Sequence, residues 1–359
     1  MNRIIIIFMV AVLSGCIKIS DNDIEPKKGT LKTQPVHVWG VQKMAVDPMQ
    51  KGAGVYNDLL YITSYDSKGY LVEFYDFSGT KNYTVSIGKG KGPGEVMYLT
   101  AVRISEDVIH VYDYALRKIV RYSVKGDHID DIMIDTQLPL TDFQVIRNEY
   151  FFTGALDQLI CKINSEGEVS QKIDYKEGLL KHGDRYPGGI VAADDLSQSL
   201  YIGYSNLPYR IEEYSEDLKK TMTISKKVRE KSDPVRIYSP KEWRGMYYPH
   251  GKFAIHSMAF DEKYIYASYG AGFQYTSQGI ELLPVKNALN VFDKNNGEYI
   301  YDITCEQLKN SSFGYALLGV TDKYIVLGAM TILEKDLMDN MKVKTKDNLF
   351  YFIILKKPF

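Results

Sequence analysis

Several things are scarce in this chain. Cysteine occurs three times in 359 residues, at positions 16, 161 and 305. No Cys-x-x-Cys exists, and the six histidines nowhere pair at metal-ligand spacing, so no local zinc motif is present. Basic excess is missing, because 44 Lys and Arg face 45 Asp and Glu. Nothing is left over to drive nucleic-acid binding by counterion release, and no nucleic-acid partner is expected. Catalytic signatures are missing as well. There is no Gly-x-Ser-x-Gly and no local serine-histidine-aspartate pattern. The adjacent carboxylates Asp130-Asp131 and Asp194-Asp195 sit at predicted strand ends, where neighbours point to opposite faces. They read as solvated turns rather than acid/base pairs. No catalytic residue, metal or cofactor is assigned. Long apolar runs are absent too. The run from Ile4 to Leu13 is half of the roughly twenty residues that span a bilayer.

That short run follows Arg3 and leads into Leu13-Ser14-Gly15-Cys16. A basic start, a short apolar core and small residues are the pattern of a signal peptide. The ending resembles the lipobox of bacterial lipoproteins. The resemblance implies cleavage before Cys16, lipid on that cysteine, and a membrane partner reached through the anchor. Residues 1–15 are then the signal peptide. Residues 16–32 read as a tether, since charges and Pro26 and Gly29 give too little apolar surface to offset ordering. Ser20-Asp21-Asn22-Asp23 loosely resembles the acidic export signal of surface lipoproteins of Bacteroides-type bacteria, displaced by Lys18. The expected location is the cell envelope at the outer membrane, with the periplasmic and surface sides both open. Cys161 and Cys305 lie in predicted strands far apart and read as buried thiols.

What is abundant is tyrosine, with 29 residues, together with a repeating unit. A strand enters a polar turn and a second strand at six places: Asn57–Ile62, Glu106–Tyr112, Asn148–Phe152, Gln198–Ile202, Asp261–Tyr266 and Asp322–Val326. Third strands then end in turns such as Tyr75–Gly79, Tyr122–Gly126, Ile163–Gly167, Tyr214–Asp217 and Phe292–Gly297. Asn and Gly supply the positive φ that tight hairpins need. Six four-stranded units without long helical patterns predict an all-β, six-bladed β-propeller over residues 33–359. The sixth unit runs out of chain before its outer strand. Leu31 to Trp39 is expected to supply it, closing the ring with an N-terminal strand.

Between units one and two lies Gly88-Lys89-Gly90-Lys91-Gly92-Pro93-Gly94-Glu95. No Gly-Lys-Ser/Thr or following helix makes it a phosphate loop. It can be an anion-binding nest using Lys89 and Lys91, or a tight inter-blade passage. Gly90 to Glu95 resembles a run in TolB-like six-bladed propeller lipoproteins of Bacteroides-type bacteria, with Val96 replacing the usual aromatic. The resemblance implies fold and location, and transfers no catalytic residue.

Two further places are candidate sites. Arg103, Gln144 and His256 occupy matching positions on inner strands and can line the channel, either as a site or as hydrogen-bonded filling. The insertion after unit four carries Arg236, Tyr238, Trp243, Arg244, Tyr247 and Tyr248. Aromatics beside arginine suit binding surfaces, or the rings can simply pack between blades. Other insertions fall at Gly270–Lys286 and Thr331–Asp347, where Glu334–Asp339 could form a short helix. The expected function is non-catalytic binding of a protein or glycan ligand by an anchored propeller. The alternative is an extracytoplasmic hydrolase or lyase at the channel mouth.

Overall fold

A computed structural model describes residues 30–46, 49–135, 142–153, 158–174, 189–204, 209–226, 251–252, 255–269, 272–276, 279–282, 288–305, 308, 315–330 and 350–359. Two strands, β1 (Thr30–Thr33) and β2 (Pro35–Val41), precede a single turn of helix, α1 (Met49–Gly52). Blade one is β3 (Ala53–Tyr56), β4 (Leu59–Tyr65), β5 (Gly69–Tyr75) and β6 (Lys81–Gly88). Blade two is β7 (Leu99–Ser105), β8 (Val108–Asp113), β9 (Lys118–Ser123) and β10 (His128–Met133). Blade three is β11 (Asp142–Ile146), β12 (Glu149–Thr153), β13 (Gln158–Ile163) and β14 (Val169–Asp174). Blade four is β15 (Gly189–Asp194), β16 (Ser199–Tyr204), β17 (Arg210–Tyr214) and β18 (Lys220–Ser225).

After β19 (Gly251–Lys252) comes blade five. It begins with β20 (Ile255–Phe260) and β21 (Tyr264–Tyr269). The hairpin β22 (Gly272–Thr276) and β23 (Gly279–Leu282) interrupts it, and β24 (Ala288–Asp293) and β25 (Tyr299–Cys305) complete it. Blade six holds β26 (Ala316–Val320), β27 (Tyr324–Met330) and β28 (Phe350–Lys356). Its outer strand is β2, antiparallel to β28 from Pro35↔Leu355 to Val41↔Phe350. The fold is thus the expected six-bladed propeller, closed by an N-terminal strand. The second strands lie where the repeat placed them.

The chain's residues explain this layering. Middle strands are buried on both faces, as in Leu60, Tyr61, Ile62 and Thr63 of β4, because each sheet has a neighbour on either side. Outer strands alternate: in β6 only Val85 and Ile87 are buried. The core is accordingly six seams, one between each pair of adjacent blades. The seam between blades six and one joins Phe352 and Ile354 to Leu60, Ile62 and Tyr75, with Trp39 packed against them.

Outer hairpins fasten four of the six seams. Gly126 packs on Val85, Gly167 on Met133, and Gly297 on Met222 and Ile224, each on the outer strand of the preceding blade. Gly79 does the same across the closure, where an added Cβ would lie 2.7 Å from Cγ of Trp39. These four glycines have positive φ, between 69° and 100°, so both the space and the backbone require glycine.

Strand β1 departs from expectation. It adds to blade five as a fifth strand, parallel to β25 from Thr30↔Asp302 to Thr33↔Cys305. Residues 30–32, assigned to the tether, therefore belong to the folded body. The outer edge of β25 offers unpaired backbone groups, and these four residues satisfy them. Cys161 and Cys305 are buried in different blades and form no disulfide. Cys16, the candidate loop from Arg236 to Tyr248 and the expected helix at 334–339 lie outside the described residues.

Candidate functional site

Successive strands of a blade are antiparallel, so successive connections alternate between the two sides of the ring. First-to-second and third-to-fourth strand turns share one side, termed the turn face. Second-to-third connections and passages between blades share the other, the connection face. On the turn face, two-residue hairpins join first and second strands in the first three blades. Both central residues have positive φ at Asn57-Asp58, Glu106-Asp107 and Arg147-Asn148, which suits the twist of the flanking strands. On the connection face the chain spends its length: 226–252, 270–286 and 331–347 all join strand ends there. Two of these insertions meet, since β19 pairs with β22 and β22 with β23 in an extra three-stranded sheet.

The channel is lined by β3, β7, β11, β15, β20 and β26, each against the next around the ring. Arg103 on β7 reaches toward both flanking blades. Its guanidinium donates to Oδ1 of Asp142 on β11 at 2.6 Å and to the carbonyl of Lys51 at 3.3 Å. Gln144 on β11 donates from Nε2 to the carbonyl of Val191 on β15 at 3.0 Å. Ser257 on β20 accepts from the Leu317 N–H of β26 at 2.8 Å. Arg103 and Gln144 thus tie neighbouring blades together. The backbone of His256 lies in β20, but its side chain is outside the described residues.

One titratable group on the turn face was not foreseen. Asp195 begins the turn after β15, and its carboxyl is pushed up to about 6 by crowding protein, then by Asp194 and by Glu106. Asp195 in turn acts on Tyr61 of blade one, whose hydroxyl is pushed up mainly by burial. Asp195 stands in the first-to-second strand turn of blade four, on the turn face. Asp194 beside it is committed elsewhere, paired with Lys294 of blade five at 2.6 Å in a buried bridge. Among the described residues no second carboxylate or histidine hydrogen-bonds to Asp195, and no group of three or more His, Cys, Asp or Glu could hold a metal.

The glycine run is a clip that carries its own anion. The Gly92 N–H donates to Oε2 of Glu95 at 2.8 Å. A Cβ on Gly90 would collide with that same oxygen. The clip is pinned to blade two. Lys118 donates to the Gly92 carbonyl at 3.1 Å and to Asp131 at 2.6 Å. The Gly94 N–H and His128 also bond Asp131, and the Tyr122 hydroxyl donates to the Gly94 carbonyl. Burial pushes the Asp131 carboxyl up, but donors from Lys118, His128 and Gly94 outweigh it and hold it below the usual range. Lys89 and Lys91 stand exposed beside the clip. Of the backbone donors in the run, the Gly92 N–H is taken by Glu95.

A family model described as a six-bladed β-propeller, DUF5128, matches residues 54–165. That stretch runs from blade one into blade three. No curated protein matches the chain. Two solved structures from Bacteroides resemble it along nearly their whole length. One is a Bacteroides fragilis protein described as exported, at 12% identity, covering 91% of this chain and 99% of that one, with a TM-score of 0.53. The other is a member of the DUF4221 family from Bacteroides vulgatus, at 12% identity, covering 94% and 99%, with a TM-score of 0.54. A virginiamycin B lyase from Staphylococcus aureus aligns more loosely, at 11% identity over 88% and 97%, with a TM-score of 0.43. At these identities the likeness is one of fold.

Proposed function

We propose that this chain is an exported, lipid-anchored cell-envelope propeller, similar to the TolB-like lipoproteins, that binds a protein or glycan ligand on its connection face without chemistry of its own. One observation carries the reading: the asymmetry of the ring. Loops on a rigid scaffold carry function more often than cores do, and the strand ends joined by the long insertions lie on one side, where the extra sheet β19-β22-β23 also forms. Arg103 and Gln144 are spent on holding blades together. The lipobox-like Leu13–Cys16 supports the anchor, and the exported description of the Bacteroides fragilis relative agrees with a place outside the cytoplasm.

Two measurements test it. Labelling of the full chain with an alkyne fatty acid should mark the wild type and fail with Cys16→Ala. Label retained on the variant removes the anchor. Capture of a ligand from envelope extract should drop in Trp243→Ala/Tyr247→Ala. Equal recovery moves binding away from that loop. A second reading, a hydrolase or lyase site at the channel mouth, has Asp195 as its candidate, since burial, then Asp194 and Glu106, push this carboxyl up to about 6, a range that suits proton transfer. Turnover of an envelope glycan or lactone that is lost in Asp195→Asn would replace the binding reading.

A further inference from the structure

Resting on the binding reading, we infer that the connection face of blades one and two is a site for an acidic glycan, formed by Tyr65, Tyr98 and Tyr114 with Lys43, Lys89 and Lys91. The three tyrosines are 50%, 61% and 46% exposed, whereas mid-strand tyrosines such as Tyr112, Tyr150, Tyr201 and Tyr266 are buried. Each exposed ring sits where a strand meets a connection on the same side. Tyr65 ends β4, Tyr98 precedes β7, and Tyr114 follows β8.

Contacts join these positions into one patch. Lys43 lies 5.5 Å from the ring of Tyr65, and Tyr65 pairs with Tyr70 across β4 and β5. The Tyr70 hydroxyl donates to the carbonyl of Met97 at 3.2 Å. The Met97 N–H donates to Oδ2 of Asp113 at 2.5 Å. Tyr98 and Tyr114 are the chain neighbours of that last pair. Lys89 is bridged to Val96, one residue before Met97.

The patch is cationic by what it exposes: Lys43, Lys89 and Lys91 stand in solvent, while of the neighbouring carboxylates Asp66 is exposed, Glu95 half-buried and Asp113 buried. Asp66 accepts from the N–H groups of Lys68 and Gly69. Asp113 accepts from Met97 and Leu116, and Glu95 accepts from Gly92. A ligand here meets flat hydroxylated rings and ammonium groups.

The occupant follows from what the patch lacks. Among the described residues, the exposed aliphatic side chains lie elsewhere. Ile129 and Met133 are on outer strand β10, and Leu196 is on the turn face. A protein partner wants a desolvated apolar centre. Exposed tyrosines without one suit sugar faces, with an apolar ring below and a hydroxyl at the rim. Exposed lysines then select sugars bearing carboxylates.

The test is calorimetric titration of the full chain in detergent with a hexamer of galacturonate, against maltohexaose as the neutral control. The galacturonate should bind, more weakly as salt rises, and the neutral sugar should bind at least roughly tenfold more weakly. Tyr98→Ala/Tyr114→Ala should cost roughly tenfold or more, while Tyr98→Phe/Tyr114→Phe keeps most of the affinity. Lys89→Glu/Lys91→Glu should abolish the salt dependence. Unfolding curves matching the wild type show that the variants fold. Equal binding of both sugars, or affinity unchanged in the alanine pair, overturns the assignment. Loss of galacturonate binding in Trp243→Ala/Tyr247→Ala alone also overturns this patch, and leaves the wider binding reading standing. A folded chain that ignores both sugars but captures an acidic protein through these tyrosines overturns the glycan class.

Discussion

The two faces of the ring are made from the same six blades and obey different rules. The turn face is short, and much of it is locked by backbone conformation. Asn57-Asp58, Glu106-Asp107 and Arg147-Asn148 are left-handed pairs, and the outer hairpins press Gly79, Gly126, Gly167 and Gly297 into the preceding blade. The connection face holds the strand ends that the long insertions join, an added sheet, and Tyr65, Tyr98 and Tyr114. One face fixes the ring, and the other is where the chain can vary its surface without moving a blade. If so, substitutions on the turn face should change stability and leave binding alone, and substitutions on the connection face should do the reverse.

The hardest blow to the turn face is Gly167→Ala. Its φ is +87°, and an added Cβ would run into the carbonyl of Met133. Strain and displacement together should cost on the order of 3 kcal/mol, read as a lower midpoint in urea. A midpoint within error of wild type would mean that the hairpins do not fasten the seams.

Next comes His110 of β8, buried and 3.1 Å from the Tyr150 hydroxyl across the seam between blades two and three. Burial, then Arg121, pushes its imidazole down to about 3. The unfolded chain takes up this proton below about pH 6.5, and the native state refuses it until about 3. Stability from neutral His110 is therefore full above 6.5 and is lost as pH falls toward 3. Between pH 7 and pH 5 the loss should be about 2 kcal/mol. His110→Gln should flatten that part of the stability–pH curve, and an unchanged slope would show that another group governs it.

How much of this was legible in the sequence depends on whether the signal is local. Turns such as Asp76–Gly79 announce themselves, because one Asx cap and one glycine at fixed spacing force the hairpin. The closing strand was legible by counting, since the sixth unit lacked a partner for Phe350–Leu355. Strand β1 was not legible. Thr30–Thr33 follows a charged stretch, and its partner in a parallel pair lies some 270 residues away. Arg103 and Gln144 could be placed on inner strands, but their bonds to Asp142 and Val191 depend on how neighbouring blades dock. The glycine run invited an anion, and the residue that answers it, Glu95, stood at its end. The exposed tyrosines were hidden among 29, although standing at a strand end rather than mid-strand was a clue.

The clip lies between the two faces in character, and Gly90→Ala sharpens the boundary. A Cβ there would displace the Glu95 carboxylate, freeing the Gly92 N–H and loosening the passage into β7. One lost charge-assisted bond on a half-exposed loop should cost about 1–2 kcal/mol. The clip also positions Lys89 and Lys91, so this variant should weaken acidic-ligand binding as well as stability. A change in stability alone would class the clip with the turn face.

The smallest expected stability effect is at Tyr98 and Tyr114. Tyr98 is mostly and Tyr114 nearly half in solvent, and no hydrogen bond of either hydroxyl is seen among the described residues. Their burial term is therefore small, and surface substitutions away from caps and cores fall within about 0.5 kcal/mol. Tyr98→Ala/Tyr114→Ala should unfold in urea within that margin of the wild type. The contrast with Gly167 tests the comparison between faces. An exposed tyrosine that contributes nothing to the fold is kept for its surface, and the same pair should then govern affinity. A loss above about 1 kcal/mol would instead mean that these rings pack against connection-face loops, and that this side of the ring is as structural as the other.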